Sequence, residues 1–459
     1  MSSDEAQVQI GDSDKAIWLS YAKGIRQQIA PTGLGPNDVL YVCPPTYVSL
    51  GVNNRAEDIN RDVEKNAGAM LPPTAGALFV PSSASERYFL RLRTLSNCIN
   101  PAPSNMAVAT DIQAKINEAR TDKESAETDY TNATHKAWDD YSKYLQKSKK
   151  QHQQKVLDYK TWSETNASDL GDYRIGVANA TSSYHSLLKN TYGQQVQNMI
   201  DVQVSIAKAI DEEKHPGFNM PTIFADIASD KEINKDDIAY VPAYTLSGYG
   251  DLLTKWKKST NTNYHNISVS VNSSKNLSWT SFGHSESLSD TKKKVWVVFN
   301  ESSSSEEKDK HSAEQLEEEL SKVDFNLKVK EWAAIPITRG NWDHPNIRKN
   351  FKFVSETPTE EDYVIPTAML IGYGVGLEAT FQSEAKKSAK EAIDHFSKTT
   401  ESGMRILGID IQPSKSSTSS SSTSKSDVKF DSENGKISIS PENNLNPVVL
   451  GILGSKIRL

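Results

Sequence analysis

Apolar and small residues recur at steps of three and four in one part of this chain and at steps of two in another. The series Ile112, Ile116, Ala119, Ala126, Tyr130, Ala133, Ala137, Tyr141 and Leu145, continued by Val156, Tyr159 and Trp162, is the stripe of a helix facing one partner. No proline occurs between Pro103 and Pro216. A proline costs about 3 kcal/mol inside a helix, so a proline-free run of this length predicts long helices. Ser163–Gly171 is rich in turn and capping residues and breaks the run. A second stripe, Tyr184, Leu188, Tyr192, Val196, Met199, Val202, Ile206 and Ile210, follows and reaches Glu213. Two long helices across a short polar break predict an antiparallel helical hairpin over residues 104–215. Its seam is Ala, Tyr, Ser and Gln near the turn and Val, Met and Ile near the base, which predicts an anchored base and a thinly stabilised tip. The polar run Lys147–Gln154 cannot be buried on two sides. Tyr141, Tyr144, Trp162 and Tyr173 are the candidate contact residues of this interaction arm.

The flanks read differently. Residues 1–14 are polar and acidic and are expected to be a disordered leader. Lys15–Ile29 predicts a helix with Ile17, Trp18, Tyr21 and Ile25 on one face and Asp14 as its cap. Val39–Cys43 predicts a strand ended by Pro44 and Pro45. A charged helix near Arg55–Asn66 and the apolar pieces Ala77–Val80 and Tyr88–Leu92 complete a small α/β lobe over residues 15–103, short of core by itself.

Beyond Pro216, Ile267, Val269 and Val271 alternate with Ser268, Ser270 and Asn272, as in a half-buried strand. Leu277–Phe282, Val295–Phe299, Phe325–Lys330, Trp332–Thr338 and Met404–Ile411 predict further strands. Ala313–Val323 predicts a short helix after the acidic loop Glu301–His311. Met369–Phe381 alternates most clearly, with bulky residues on one face and Gly372, Gly374 and Gly376 on the other. A face so bare predicts a closely packed neighbour, and the helix expected at Ser383–Lys398 is the candidate. A Ser/Thr-rich loop at residues 413–426 precedes strands at Val428–Phe430, Lys436–Ile439 and the apolar tail Pro447–Leu459, a core strand by its composition. The fold class is α+β: a long antiparallel helical hairpin between a small N-terminal α/β lobe and a C-terminal, mainly antiparallel β domain over residues 216–459.

Length and charge narrow the function. The chain has 459 residues, 36% hydrophobic and 24% charged, enough for two or three domains. Its net charge of −7 argues against a nucleic-acid partner, which calls for a basic excess, and against strong attraction to an anionic membrane. Cys43 and Cys98 sit in apolar surroundings and read as buried thiols. The N-terminus has no apolar signal segment, and no run reaches the ~18 apolar residues of a spanning helix. The sequons at Asn132, Asn166, Asn179, Asn266, Asn272, Asn276 and Asn300 then read as a by-product of composition, and the expected location is cytoplasmic.

Motifs of catalysis fail on inspection. Gly283-His284-Ser285-Glu286-Ser287 lacks the last glycine of a nucleophile elbow. Gly372-Tyr373-Gly374-Val375-Gly376 lies inside an alternating strand, whereas a phosphate-cradling loop opens a helix. The histidines show no metal-ligand spacing, so neither metal nor cofactor is expected. Arg339, Trp342, Asp343 and His344 crowd together and are the candidate ligand-binding residues, with a packed loop as the competing reading.

The expected function is therefore non-catalytic: self-association, or binding to another protein, through the projecting arm. Pore formation is the first alternative, because Tyr264–Ser287 alternates as a membrane-inserting β-hairpin does. An enzyme or small-ligand binder centred on residues 339–344 is the second.

Overall fold

The computed structural model describes residues 12–43, 56–67, 85–102, 108–151, 156–157, 159–223, 238–274, 276–284, 297–300, 323–354, 357–382, 386–387, 390, 403–407, 409–412, 422–424 and 427–459. These residues form a mixed α+β structure built on an eight-stranded antiparallel sheet.

Two long strands make its spine. Strand β7 (Val323–Arg339) pairs with β8 (Asp362–Phe381) from Val323↔Phe381 to Pro336↔Ala368. Along the far edge of β8 run β14 (Pro447–Arg458) and β13 (Lys436–Ile439), the latter continued by β12 (Val428–Asp431). The outer edge of β7 carries β5 (His265–Val269) and β4 (Tyr244–Leu246). Strand β1 (Asp38–Val42), from the other end of the chain, pairs with β14. The N-terminal segment and the C-terminal tail thus share one sheet, and pairing with β14 joins residues 15–103 to a core they would lack by themselves.

Strand β8 serves two cores, and the bulky odd-numbered series expected on one face changes core at Gly374, whose φ is 65°. Leu370, Val375 and Leu377 join Val323, Phe325, Leu327 and Val329 under helix α1 (Asp12–Ile29), which contributes Ile17, Trp18, Tyr21 and Ile25. Met369, Ile371 and Tyr373 join a second core. That core is lined by α3 (Ser85–Asn97), α6 (Leu170–Tyr192), α7 (Gln197–Ala207) and α8 (Tyr249–Lys257). Burial on both faces explains why β8 is apolar nearly throughout. Helix α2 (Ala56–Ala67) packs on β2 (Asn219–Ile223), which forms a separate two-stranded ribbon with β3 (Ile238–Pro242).

Several expectations change. Helix α1 begins at Asp12, so Asp14 lies inside it and is not its cap. Tyr88–Leu92 belongs to α3. Leu277–Phe282 is no strand: Trp279–Phe282 is a 3-10 turn with a capping box between Ser278 and Ser281, and its i, i+3 spacing buries both Trp279 and Phe282. Phe325–Lys330 and Trp332–Thr338 are halves of the one strand β7. Met404–Ile411 divides into β6's neighbour β9 (Gly403–Ile406) and β10 (Ile409–Gln412), which pair antiparallel; β6 is Val297–Asn300. The reversal passes through Leu407 at a φ of 49°. Within the Ser/Thr-rich tract, Ser422–Ser424 forms β11, parallel to β10.

Most of the helix expected over the bare positions of β8 lies outside the described residues; among the described ones another element approaches them. A Cβ on Gly376 would lie 2.4 Å from the Ile439 carbonyl oxygen and 2.5 Å from the Pro441 nitrogen. The covering element there is the chain entering the 3-10 turn Pro441–Asn443. At Gly372 the close neighbours are the Leu450 and Val329 side chains. Residues 1–11, Ala77–Val80, Glu301–His311, residues 313–322, residues 413–421 and most of Ser383–Lys398, for which the sequence sets expectations, lie outside the described residues.

Candidate functional site

The second helix of the predicted arm does not run unbroken to Glu213: residues 104–215 contain α4 (Thr110–Lys150), α5 (Tyr159–Asn166) and α6, then a 3-10 turn at Gly193–Val196 and α7, whose Gln203 lies beside His185 of α6. Helix α4 packs against α6, and Tyr192 on α6 donates to Gln113 Oε1 near the start of α4. Farther along, Tyr130 of α4 donates to Glu212 Oε1 at 2.7 Å, and Arg174 of α6 pairs with the same carboxylate.

Adhesion between these elements is uneven. Ile116 belongs to the large core with Tyr184 and Leu188. From residue 117 to 136 of α4, Lys123 alone is buried. It occupies the stripe position between Ala119 and Ala126, where sequence reading found no apolar residue. Its Nζ donates to Asn97 Oδ1 at 2.7 Å and pairs with Glu127 at 2.7 Å, while Asn97 also donates to Glu127 at 3.1 Å. A buried ammonium needs such partners, because removing it from water unpaired costs several kcal/mol.

The far end departs from the expectation of a thin tip. Trp138, Tyr141, Tyr144, Tyr159 and Trp162 form one aromatic cluster. Trp138 stacks on Tyr159 with centroids 3.5 Å apart and planes 8° from parallel. The backbone return through Leu157 is bonded on both sides, its carbonyl accepting from Tyr141 and its N–H donating to Tyr144. Ala239 of β3 packs against the cluster. Of the four candidate contact residues, the structure therefore brings Tyr141, Tyr144 and Trp162 together, and Tyr141 and Trp162 are buried within the arm itself. A short helix folding back places aromatic rings ring-to-ring, a contact that stripe counting along α4 alone does not reveal. Tyr173 lies apart, 38% exposed, two residues before Ile175 at 56%.

The second candidate group sits where β7 ends. Trp342 is fully buried, donates to the Ala243 carbonyl at 3.0 Å and meets Tyr88, Phe89 and Tyr244 edge-on. Arg339 Nε donates to Asp343, which also accepts from the Tyr88 hydroxyl. Burial, with the Asp343 charge second, pushes the Tyr88 phenol well up. His344 Nε2 lies 2.6 Å from Ser205 Oγ, and that hydroxyl donates to the Val202 carbonyl, so the imidazole is the donor. Burial lowers the His344 pKa against the opposing pull of Asp343. All four side chains are thus brought to one corner, and each makes at least one polar contact with another part of the protein.

Two more histidines, the half-buried His185 and the buried His284, repeat this arrangement. His185 Nε2 lies 2.9 Å from Gln203 Oε1, and the Gln203 amide donates to the Ser96 carbonyl, which makes His185 the donor. His284 donates to the Leu40 carbonyl at 2.6 Å. Burial lowers both pKa values, that of His284 to about 4. Burial also raises both cysteine thiols, so neither is poised as a thiolate.

Among the described residues no group of three or more His, Cys, Asp or Glu side chains is arranged to hold a metal, and no helix is long and apolar enough to cross a membrane. Within 264–299, β5 pairs with β7 and buries Ile267 and Val269, whereas β6 pairs with β9. Among the described residues these two strand pieces do not pair with each other. Comparison with family models, with curated proteins and with solved structures finds no match to this chain.

Proposed function

We propose that this is a non-catalytic protein that associates with a second copy of itself, or with another protein, through the paired helices α4 and α6 acting as an interaction arm. The observation that carries the reading is the outer face of α4. Asp111, Glu118, Asp129, Lys136, Lys143 and Lys150 are all exposed, so one side of a 41-residue helix is bare from end to end. The inner side has a polar middle, which makes the pair costly to order. Surface buried by a partner would offset that cost. The contact residues are those of the outer face and of the Tyr173–Ile175 patch, since the aromatic cluster is already filled by its own members. Light scattering over a range of protein concentrations, with cross-linking through α4, tests the reading. A mass that rises with concentration supports it; a strict monomer that captures no partner overturns it.

A further inference from the structure

The bare face of α4 is divided by charge. At i, i+4 and i+7 spacing its first half presents Glu118, Asp122 and Asp129, and its second half presents Lys136, Lys143 and Lys147. All six side chains are exposed. From residue 141 to 157 the sequence holds five lysines and no acid, in a chain whose net charge is −7. Lysines near a helix C-terminus and acids near its start both complement the helix dipole, which accounts for the first and last turns only. The stripe continues through the middle of the helix, well beyond that range.

We propose that two copies of the chain pair antiparallel through this face of α4, the acidic half of one against the basic half of the other. This rests on the arm being a self-association surface. The spacing supplies the complementarity. In an antiparallel pair crossing between residues 132 and 133, Glu118 faces the second copy's Lys147, Asp122 faces its Lys143, and Asp129 faces its Lys136. Two-fold symmetry repeats each pair. A single register thus matches three opposite charges in each direction, over about 44 Å of helix at 1.5 Å per residue. Lys150 would face Lys115 at each end, which limits the useful overlap. Asp140, 2.8 Å from Lys143 in the single chain, is the one acid inside the basic half of the stripe and would release Lys143 on pairing. An acidic protein or an anionic membrane would also attract the basic half, but neither has a use for the acidic half. Only a second copy uses both.

Three proteins test this by sedimentation equilibrium: wild type, Lys136→Glu/Lys143→Glu/Lys147→Glu, and Glu118→Lys/Asp122→Lys/Asp129→Lys. Circular dichroism checks that α4 persists in each. Wild type should dimerise at low salt and weaken about tenfold or more in 0.5 M salt, because exposed pairs are screened. Each variant alone should be a monomer, and an equimolar mixture should dimerise more tightly than wild type, since one stripe is then wholly acidic and the other wholly basic. Variants that dimerise as wild type does, or a mixture that stays monomeric, would overturn the α4 pairing while leaving self-association through another surface standing. A wild-type monomer at every concentration removes both. Binding of wild type to phosphatidylserine vesicles that is lost in the lysine variant, without dimerisation, would overturn it in favour of a membrane partner.

Discussion

His284 donates its Nε2 hydrogen to the carbonyl of Leu40 across 2.6 Å, joining residues 244 positions apart in the chain. A carbonyl only accepts, so the neutral ring carries its hydrogen on Nε2 and leaves Nδ1 bare. That Nδ1 is buried and has no hydrogen-bond partner among the described residues. The ring stands edge-on to Tyr41 at 5.1 Å. A second proton would create a buried N–H without an acceptor, with the Lys456 ammonium among the charges opposing it.

Acid should therefore destabilise the fold through this residue. Burial, with Lys456 in support, lowers the His284 pKa from 6.5 to about 4 against the opposing Leu40 bond. Above pH 6.5 both folded and unfolded chains hold it neutral, and its contribution is fully present. Below 6.5 the unfolded chain takes up a proton that the folded chain refuses, so stability falls, and the loss levels off below about pH 4. The total is about 3 kcal/mol, of which about 2 has gone by pH 5. His284→Gln keeps a donor for Leu40 and does not titrate. Urea unfolding at pH 7 and pH 5 should show a smaller acid loss in the variant; equal losses would mean that the imidazole is not held neutral.

Beside it, Gly283 has a φ of 84°, and a Cβ there would stand 2.0 Å from the Asp38 carbonyl oxygen. Gly33 has a φ of 97° with nothing within 4 Å. Both positions strain an L residue, but only one also drives it into the backbone of β1. Gly33→Ala should cost about 1–2 kcal/mol from conformation alone, and Gly283→Ala clearly more. Thermal melts of the two variants side by side measure the difference.

Trp162 touches Tyr141 with ring centroids 5.5 Å apart and helps to close the far end of the arm. Trp162→Ala should cost about 3–5 kcal/mol of local stability. Hydrogen exchange should accelerate in α5 and the last turns of α4 and stay unchanged in β7 and β8, since among the described residues none of β7 or β8 belongs to this cluster. Uniform acceleration would show that the arm and the sheet unfold together.

Asp343 holds Arg339 and Tyr88 at once, with both members of the ion pair largely buried. Asp343→Ala strands the guanidinium and should cost about 3–5 kcal/mol. Asp343→Asn, which retains an acceptor, should cost less. A loss of ligand binding with unchanged stability would instead favour the small-ligand alternative at this corner.

The helices and the strand pattern were legible in the chain because their causes are local. A proline-free run with steps of three and four buries one side of a helix, and alternation at Met369–Phe381 buries a strand, whatever lies opposite. Trp279 and Phe282 misled because two aromatics three apart fit a strand's composition as well as a 3-10 turn, and only the Ser278–Ser281 capping box decides. The bareness of Gly374 and Gly376 announced a close neighbour without naming it, because the approach of Pro441 depends on how β13 returns to β8.

At the candidate sites the same division holds. The charges of α4 were in plain view, and helical spacing alone puts Glu118, Asp122, Lys143 and Lys147 on one side. Which side faces water was settled by the packing of α6. Tyr141 and Trp162 could be read as surface contacts until α5 folded back and buried them against each other. Periodicity is a property of neighbours in sequence and sets which residues share a face. What that face meets is set by chain reversals and long-range pairing, such as β1 with β14, whose energies come from residues hundreds of positions apart.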